Sequence, residues 1–372
     1  MPATLDRLET LVGAPPSPPP PTPGAGRLAS LDACRGLIMF ILAANGFGWR
    51  KLMDDPRFGW LARQFDHVPW TGMVFWDLIQ PAFMFMVGVA MPFSVARRRE
   101  EGDSPARIFR HVAWRGLMLI VLSQLLMSVS SGRLHFQLIN VLSQIAFTYF
   151  LSYCLLQLPF RWQVVSAAGI LALHSALFFL APGAEGAFTK GDNIGARIDQ
   201  VFGLKYSGSY VTINFLSSTV TTLFGVWTGL LMRRQDSHGH RMMVLAGAAT
   251  AAFLGGWALS PLVPIVKRIW TASFTLFSTG WVLLILLALY WVVDVRGWRK
   301  PAFPLIVVGM NSIFIYSVSI VLSGWLDRAV GVFTFRWQFI GTLAPVAQAT
   351  SVVLVMWYCC YWLYQRKIFF RL

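Results

Sequence analysis

Charge is scarce in this chain of 372 residues. Only 13% are Asp, Glu, Lys or Arg, where a soluble domain carries roughly a quarter. An ordinary solvated surface is thereby excluded. No stretch between the apolar runs is long enough to form a soluble domain of useful size. Alternating segments of about 10 residues, the mark of a membrane β-barrel, are missing too. Cysteines number four; Cys34, Cys154, Cys359 and Cys360 fall inside apolar runs without metal-type spacing, so they read as small core residues and no metal is expected. The chain also lacks a P-loop, GxSxG, HExxH and CxxC, which removes the familiar signatures of soluble enzymes.

What is present is hydrophobic: 56% of residues, with 16 Trp and 29 Phe. Apolar runs of about 20 residues, the length needed to cross a hydrocarbon core of about 30 Å, recur along nearly the whole chain. The fold class expected is all-α, a polytopic transmembrane helical bundle embedded in a lipid bilayer. About ten spans are predicted, near 30–49, 75–95, 110–130, 134–157, 162–181, 211–232, 242–260, 270–293, 303–324 and 341–364. Residues 1–26 are of another kind. Their segment VGAPPSPPPPTPGAG has no apolar h-region and reads as a disordered, Pro-rich cytoplasmic tail ahead of a transmembrane domain over 27–372.

The formal charge is +15. In a membrane chain that excess belongs to cytoplasmic loops and not to a nucleic-acid partner. Arg97, Arg98, Arg99, Arg107 and Arg110 mark the loop after the second span as cytoplasmic, and parity then does the same for the loops with Arg233, Arg234 and Arg241 and with Arg296, Arg299 and Lys300. Both termini are predicted cytoplasmic, the latter carrying Arg366, Lys367 and Arg371. The loop with His67 then faces outward. Two longer polar loops, 50–74 and 182–210, are where a site can be built. No internal repeat of broken spans marks an inverted-repeat transporter.

Ionisable groups in spans are costly and are candidates for function. Asp32 and Arg35, in RLASLDACRG, lie three apart on one helical face; they can form a helix-end pair or hold an anionic group together with Arg27. Asn45 ends the first span in AANGFGW, where an amide can donate to a developing oxyanion. His67 precedes Pro69, Trp70 and Gly72, and either Asp66 or Asp77 can orient its ring. His135 is an isolated rim residue, and His174 sits in an apolar run with no acid nearby. Later polar intrusions are PIVKRIWTASF, with Lys267, Arg268, Trp270, Thr271 and Ser273, and GMNSIFIY, with Asn311 and Tyr316. Gln144 is a further amide within a span.

Taken together, these stretches resemble the heparan-α-glucosaminide N-acetyltransferase family and its bacterial relatives. The resemblance rests on RLASLDACRGL (27–37), the Asn45-Gly46 step, HVPWTGMVFWDLIQPAFMFMVGVAMPFS (67–94), NVLSQIAFTYF (140–150), PIVKRIWTASFTLFSTG (264–280) and VVGMNSIFIYS (307–317), in the family's order. It implies a multi-pass membrane acyltransferase of the bacterial inner (plasma) membrane, moving an acetyl group from acetyl-CoA to a sugar or glycan. It also implies His67 as the active-site histidine of the HxxWxG motif, with Trp70 and Gly72, and Asn45 as the family's conserved asparagine. The insert KLMDDPRFGWLARQFD lengthens the path from Asn45 to His67, and no luminal domain is expected ahead of the first span. These departures leave the acceptor, amine or hydroxyl, open.

The chemistry expected follows from the groups. His67 serves as general base, or is itself acylated, while Asn45 donates to the oxyanion and Asp77 or Asp66 orients the ring. Arg35, Lys267 and Arg268 are candidates for the CoA phosphates by charge; Asp32, Trp70, Gly72, Trp270 and Asn311 complete the binding set. A homodimer is compatible with this reading. The alternative is a transporter or flippase for an anionic or glycosylated substrate, with Asp32, Arg35 and His67 lining its path.

Overall fold

The computed structural model describes residues 28–134, 136–204 and 207–370. The Pro-rich segment 1–26, Arg27, His135 and Arg371 lie outside the described residues. The elements are helices: α1 Ala29–Ala43, α2 Ile79–Glu100, α3 Pro105–Ser131, α4 Val141–Leu156, α5 Phe160–Leu180, α6 Asn214–Arg233, α7 His238–Leu259, α8 Ala272–Tyr290, α9 Arg299–Met310, α10 Ser312–Val321, α11 Ser323–Thr334 and α12 Ala344–Gln365, with short helical turns between them. An isolated bridge between Gly183 and Gly186 accounts for the extended pairing found among the described residues. Several starts are set locally. Ser104, Asn140, Ser237 and Thr271 each accept a backbone N–H of their own first turn, which satisfies one of the orphan donors at a helix start.

This is an all-α polytopic bundle. Among the described residues, seven helical segments are long and apolar enough to cross a membrane, or up to nine if each of two bent pairs is one span. The bends fall in the predicted spans 30–49 and 303–324: 48° after α1 and 70° between α9 and α10. The predicted span 134–157 contracts to the 16 residues of α4. Its first part is loop because Asn140 caps the helix there, its side chain accepting from Ser143 N.

Burial separates a centre from a rim. In the hydrophobic windows of the segments Phe75–Glu100 and Asn214–Arg233, 78% and 72% of residues are buried, against 22–28% for α3, α5 and α7. The chain therefore places α2 and α6 inside and gives the other three a broad apolar face for lipid. Glycine makes the central contact possible. A Cβ on Gly88 of α2 would run into the Thr222 carbonyl of α6, and one on Gly225 into the Phe85 carbonyl. Backbones this close gain dispersion and weak C–H···O contacts along their length. Gly36 of α1 and Gly309 of α9 repeat the device. Across this core runs a chain of buried amides, Gln80 donating to Gln144 and Gln144 to Asn214. Each is satisfied by the next, as buried polar groups in a low-dielectric interior require.

Candidate active site

The site begins where α1 stops. Asn45, Gly46, Phe47 and Gly48 all take left-handed backbone angles, φ between 47° and 68°, and turn the chain out of the helix. The following segment is tied down by Trp49 packing on Phe58 and Phe65 and by an Arg50–Asp66 ion pair of 3.2 Å. Next, HVPWTG is pinned to two other loops. The Trp70 indole N–H donates to the Phe188 carbonyl at 2.8 Å, and Gly72 N donates to Ile265 O at 2.8 Å. Gly72 takes φ 104° to do so, an angle other residues rarely adopt. The chain then enters the turn Phe75–Leu78, which carries Asp77 to the mouth of α2.

Here His67 and Asp77 meet. His67 Nδ1 lies 2.6 Å from Asp77 Oδ1, while Asp77 Oδ2 accepts the Val74 backbone N–H at 3.3 Å. Donation from Nδ1–H to the carboxylate leaves Nε2 with the ring's lone pair. A third group joins them. Lys267 Nζ stands 3.4 Å from the same Asp77 Oδ1 and 3.5 Å from His67 Nδ1. Lys267 is delivered by a tight loop in which Thr271 Oγ1 donates to Pro264 O at 2.8 Å and accepts from Val266 N at 3.0 Å. Asp77 is 1% exposed and Lys267 4%, whereas the His67 side chain keeps 36% of its surface. The carboxylate and the ammonium are buried, and the ring is half in the open.

The ring opens on a cavity of about 310 Å³, within the range of small-ligand sites. Met39 and Leu42 of α1 and Phe83 of α2 make its apolar wall; Trp76, Gln80, Gln137, Asn140, Tyr210 and Tyr316 make its polar edge. Burial lowers the Lys267 ammonium to about 8, although the Asp77 charge opposes the shift. The Tyr210 hydroxyl is raised from its ordinary value by burial, with Arg268 opposing, so at neutral pH it is a hydrogen-bond donor.

The remaining sequence candidates are distributed differently. Asp66 is held by Arg50, so the carboxylate that meets the imidazole is Asp77. Asn45 is exposed at the turn that ends α1 and is not among the residues lining the cavity; the left-handed run leads the chain against α12, where Gly48 meets the Pro345 carbonyl. Arg268 donates to the Gly208 carbonyl at 2.7 Å and lies over the Tyr210 ring. Trp270 is fully buried, its indole donating to Thr221 Oγ1 at 3.2 Å, which makes it a packing residue between α6 and the Lys267 loop. Asn311 sits at the break between α9 and α10, holding Ile368 O and Phe370 N. Asp32 and Arg35 pair at 2.6 Å near the opposite end of α1, with Arg35 Nε donating to Gly309 O at 2.7 Å. They line a separate cavity of about 330 Å³ with Met86, Val89 and Phe93 of α2.

Four polar cavity residues escaped the sequence reading: Gln80, Gln137, Asn140 and Tyr210. Gln80 follows Asp77 by one helical turn, a signal the sequence did offer. Tyr210 closes the long polar loop 182–210 and had no local pattern to mark it. Among the described residues no group of three or more His, Cys, Asp or Glu is placed to hold a metal ion.

With this geometry in place, the family model "Heparan-alpha-glucosaminide N-acetyltransferase, catalytic" matches residues 27–261. The chain belongs to this family. Heparan-alpha-glucosaminide N-acetyltransferase of Homo sapiens is 22% identical over 417 aligned residues, covering 93% of this chain and 60% of the human protein. That of Mus musculus is 22% identical over 420, covering 94% and 61%. The chain thus spans about 60% of the length of the curated relatives it matches. The chain is therefore a multi-pass membrane member of an acetyltransferase family. The stretch matched by the N-acetyltransferase family model takes in Asp32, Arg35, Asn45, His67, Trp70, Gly72 and Asp77 and stops short of Lys267.

Proposed function

We propose that this protein is an acyl-CoA-dependent membrane acyltransferase that moves an acetyl group from acetyl-CoA to an amine or hydroxyl of a sugar or glycan. The observation that carries the reading is the 2.6 Å contact of His67 Nδ1 with buried Asp77 at the edge of a cavity inside the bundle. With Nδ1 committed to Asp77, Nε2 takes the proton of the acceptor as its heteroatom attacks the thioester carbon. When the C–S bond breaks, the same nitrogen returns the proton to the departing CoA thiolate. An alternative timing has Nε2 itself acylated first and the acetyl group passed on in a second step. The oxyanion needs a donor within the cavity. Tyr210, protonated at neutral pH, lines that cavity and is proposed for this role ahead of the exposed Asn45. Gln137 and Asn140, with the face of Trp76, supply the amide and aromatic surface on which a sugar can rest.

The second cavity supports a place for the donor. Asp32, Arg35, Met39 and Leu42 follow one another at helical spacing along one face of α1, so the Arg35 cavity and the His67 cavity lie in register beside α2. About 10 Å of helix separates Arg35 from Leu42 at 1.5 Å per residue. We assign the CoA phosphates to the Arg35 end, on the cytoplasmic side by the arginine-rich loops, and the acceptor to the His67 end, facing outward across a bacterial inner membrane. The test is transfer from radiolabelled acetyl-CoA by the purified full-length protein in lipid nanodiscs, supplied with cell-envelope glycans. His67→Ala should lower it by about 10²–10⁴-fold while the thermal unfolding of the protein stays unchanged. Full activity in that variant would remove His67 from the chemistry, and substrate flux into liposomes without an acetylated product would favour a transporter.

A further inference from the structure

We infer that Lys267 is a positioning residue of the His67–Asp77 pair: its ammonium holds Asp77 as a carboxylate and keeps the imidazole uncharged and ready to accept a proton. This inference rests on the acyltransferase reading above. By charge alone Lys267 was a candidate for the CoA phosphates. Its surroundings assign it elsewhere, because Nζ is buried and faces Asp77 Oδ1 at 3.4 Å, within 3.5 Å of the imidazole.

A carboxylate buried as deeply as Asp77 needs a cation. Two groups can supply it, and they share one oxygen. If Lys267 supplies the charge, His67 donates a neutral N–H to Asp77 and keeps a free lone pair on Nε2. If Lys267 is removed, the nearest cation is His67 itself. Its ring then takes up a proton to serve as Asp77's partner, and an imidazolium has no lone pair with which to accept another. The competing charge, a cation beside the ring, acts in the same direction by disfavouring the imidazolium.

Other titratable groups do not replace this pairing. From the loop 182–210 comes Tyr210, and from α10 comes Tyr316, both neutral phenols at the cavity wall. Arg268 donates to the Gly208 carbonyl, from where its charge adds to the lowering of the Lys267 ammonium, and Asp66 is taken by Arg50. The walls from α1 are apolar at Met39 and Leu42. A third loop, from beyond the stretch that the family model matches, therefore determines whether the dyad contributed by residues 67–77 can act as a base.

The experiment compares the parent with Lys267→Met and Lys267→Arg, each full-length in nanodiscs. Two readouts are taken across pH: the transfer rate at saturating acetyl-CoA, and the titration of the His67 ring by ¹⁵N NMR, assigned with His67→Gln. In Lys267→Met the acidic limb of activity and the ring titration should both move up by about one pH unit or more, with activity returning as pH rises. Lys267→Arg keeps the charge and should titrate close to the parent even where its rate falls. A rise in KM for acetyl-CoA with an unmoved ring titration would overturn the proposal and make Lys267 a donor-binding residue. Loss of activity at every pH with an unmoved titration would also overturn it, leaving a purely structural lysine. Absence of transfer in the parent would instead defeat the acyltransferase reading, and the NMR titration would still decide whether Lys267 governs the ring.

Discussion

The two cavities beside α1 and α2 hold the same ingredients and arrange them to opposite effect. Near the start of α1, Asp32 and Arg35 pair at 2.6 Å, and the guanidinium also donates to the Gly309 carbonyl. The Arg35 side chain keeps 27% of its surface exposed. At the other end Asp77 meets an imidazole and an ammonium at once. One of those partners, the His67 imidazole, also lines the cavity. An arginine cannot give up its proton in a protein, whereas a histidine can. On the proposed reading the first cluster holds charge and the second moves a proton.

Substitutions can break or sharpen that contrast, and the largest effect belongs to the proton-moving end. His67→Ala should lower transfer by about 10²–10⁴-fold, the usual worth of a positioned general base, read as acetyl incorporated per minute at saturating donor. Asp77→Asn comes next, with about a tenfold loss or more. The amide presents no charge to Nδ1–H and releases Lys267, so the tautomer that leaves Nε2 free is no longer favoured. That loss should appear in kcat and leave KM for the donor nearly unchanged. At the charge-holding end the pattern should invert. Arg35→Gln is expected to raise KM for acetyl-CoA about tenfold, as removal of a charge-assisted contact does, with kcat close to the parent. Should Arg35→Gln depress kcat and spare KM, the division of labour between the ends would fail. The smallest effect is expected for Asn45→Ala, below about twofold in kcat. A loss as large as that of Asp77→Asn would bring Asn45 back into the oxyanion site and remove Tyr210 from it.

Much of this architecture was written in local pattern. Apolar runs of membrane length, short loops and capping residues lead directly to helices, because a lipid-embedded backbone must satisfy its hydrogen bonds within each segment. The ten predicted segments each contain a helix, yet seven to nine of the described segments qualify as spans. The breaks after α1 and between α9 and α10 arise at Asn45–Gly48 and Asn311, polar or glycine positions that hydropathy averages away. HVPWTGMVFWD brings His67 and Asp77 close because the nine residues between them bend back and end in the 3₁₀ turn Phe75–Leu78. Their pairing was open between Asp66 and Asp77 in the sequence. Arg50, from the preceding turn, occupies Asp66 and leaves Asp77 to the ring.

By itself the sequence determined that this is a membrane-embedded helical bundle, that its family is that of the heparan-alpha-glucosaminide N-acetyltransferases, and that a histidine motif stands between its first two long apolar segments. Only the tertiary structure decided what that histidine touches. Lys267 is 200 positions away in the chain, and Tyr210, Asn140 and Tyr316 arrive from three further segments. Hydrophobic periodicity records which face of a helix is buried, but it carries no information about which distant loop will supply the counter-charge. That choice is made when backbones touching at Gly88 and Gly225 pull α2 against α6, and the loops at their ends close over a shared carboxylate.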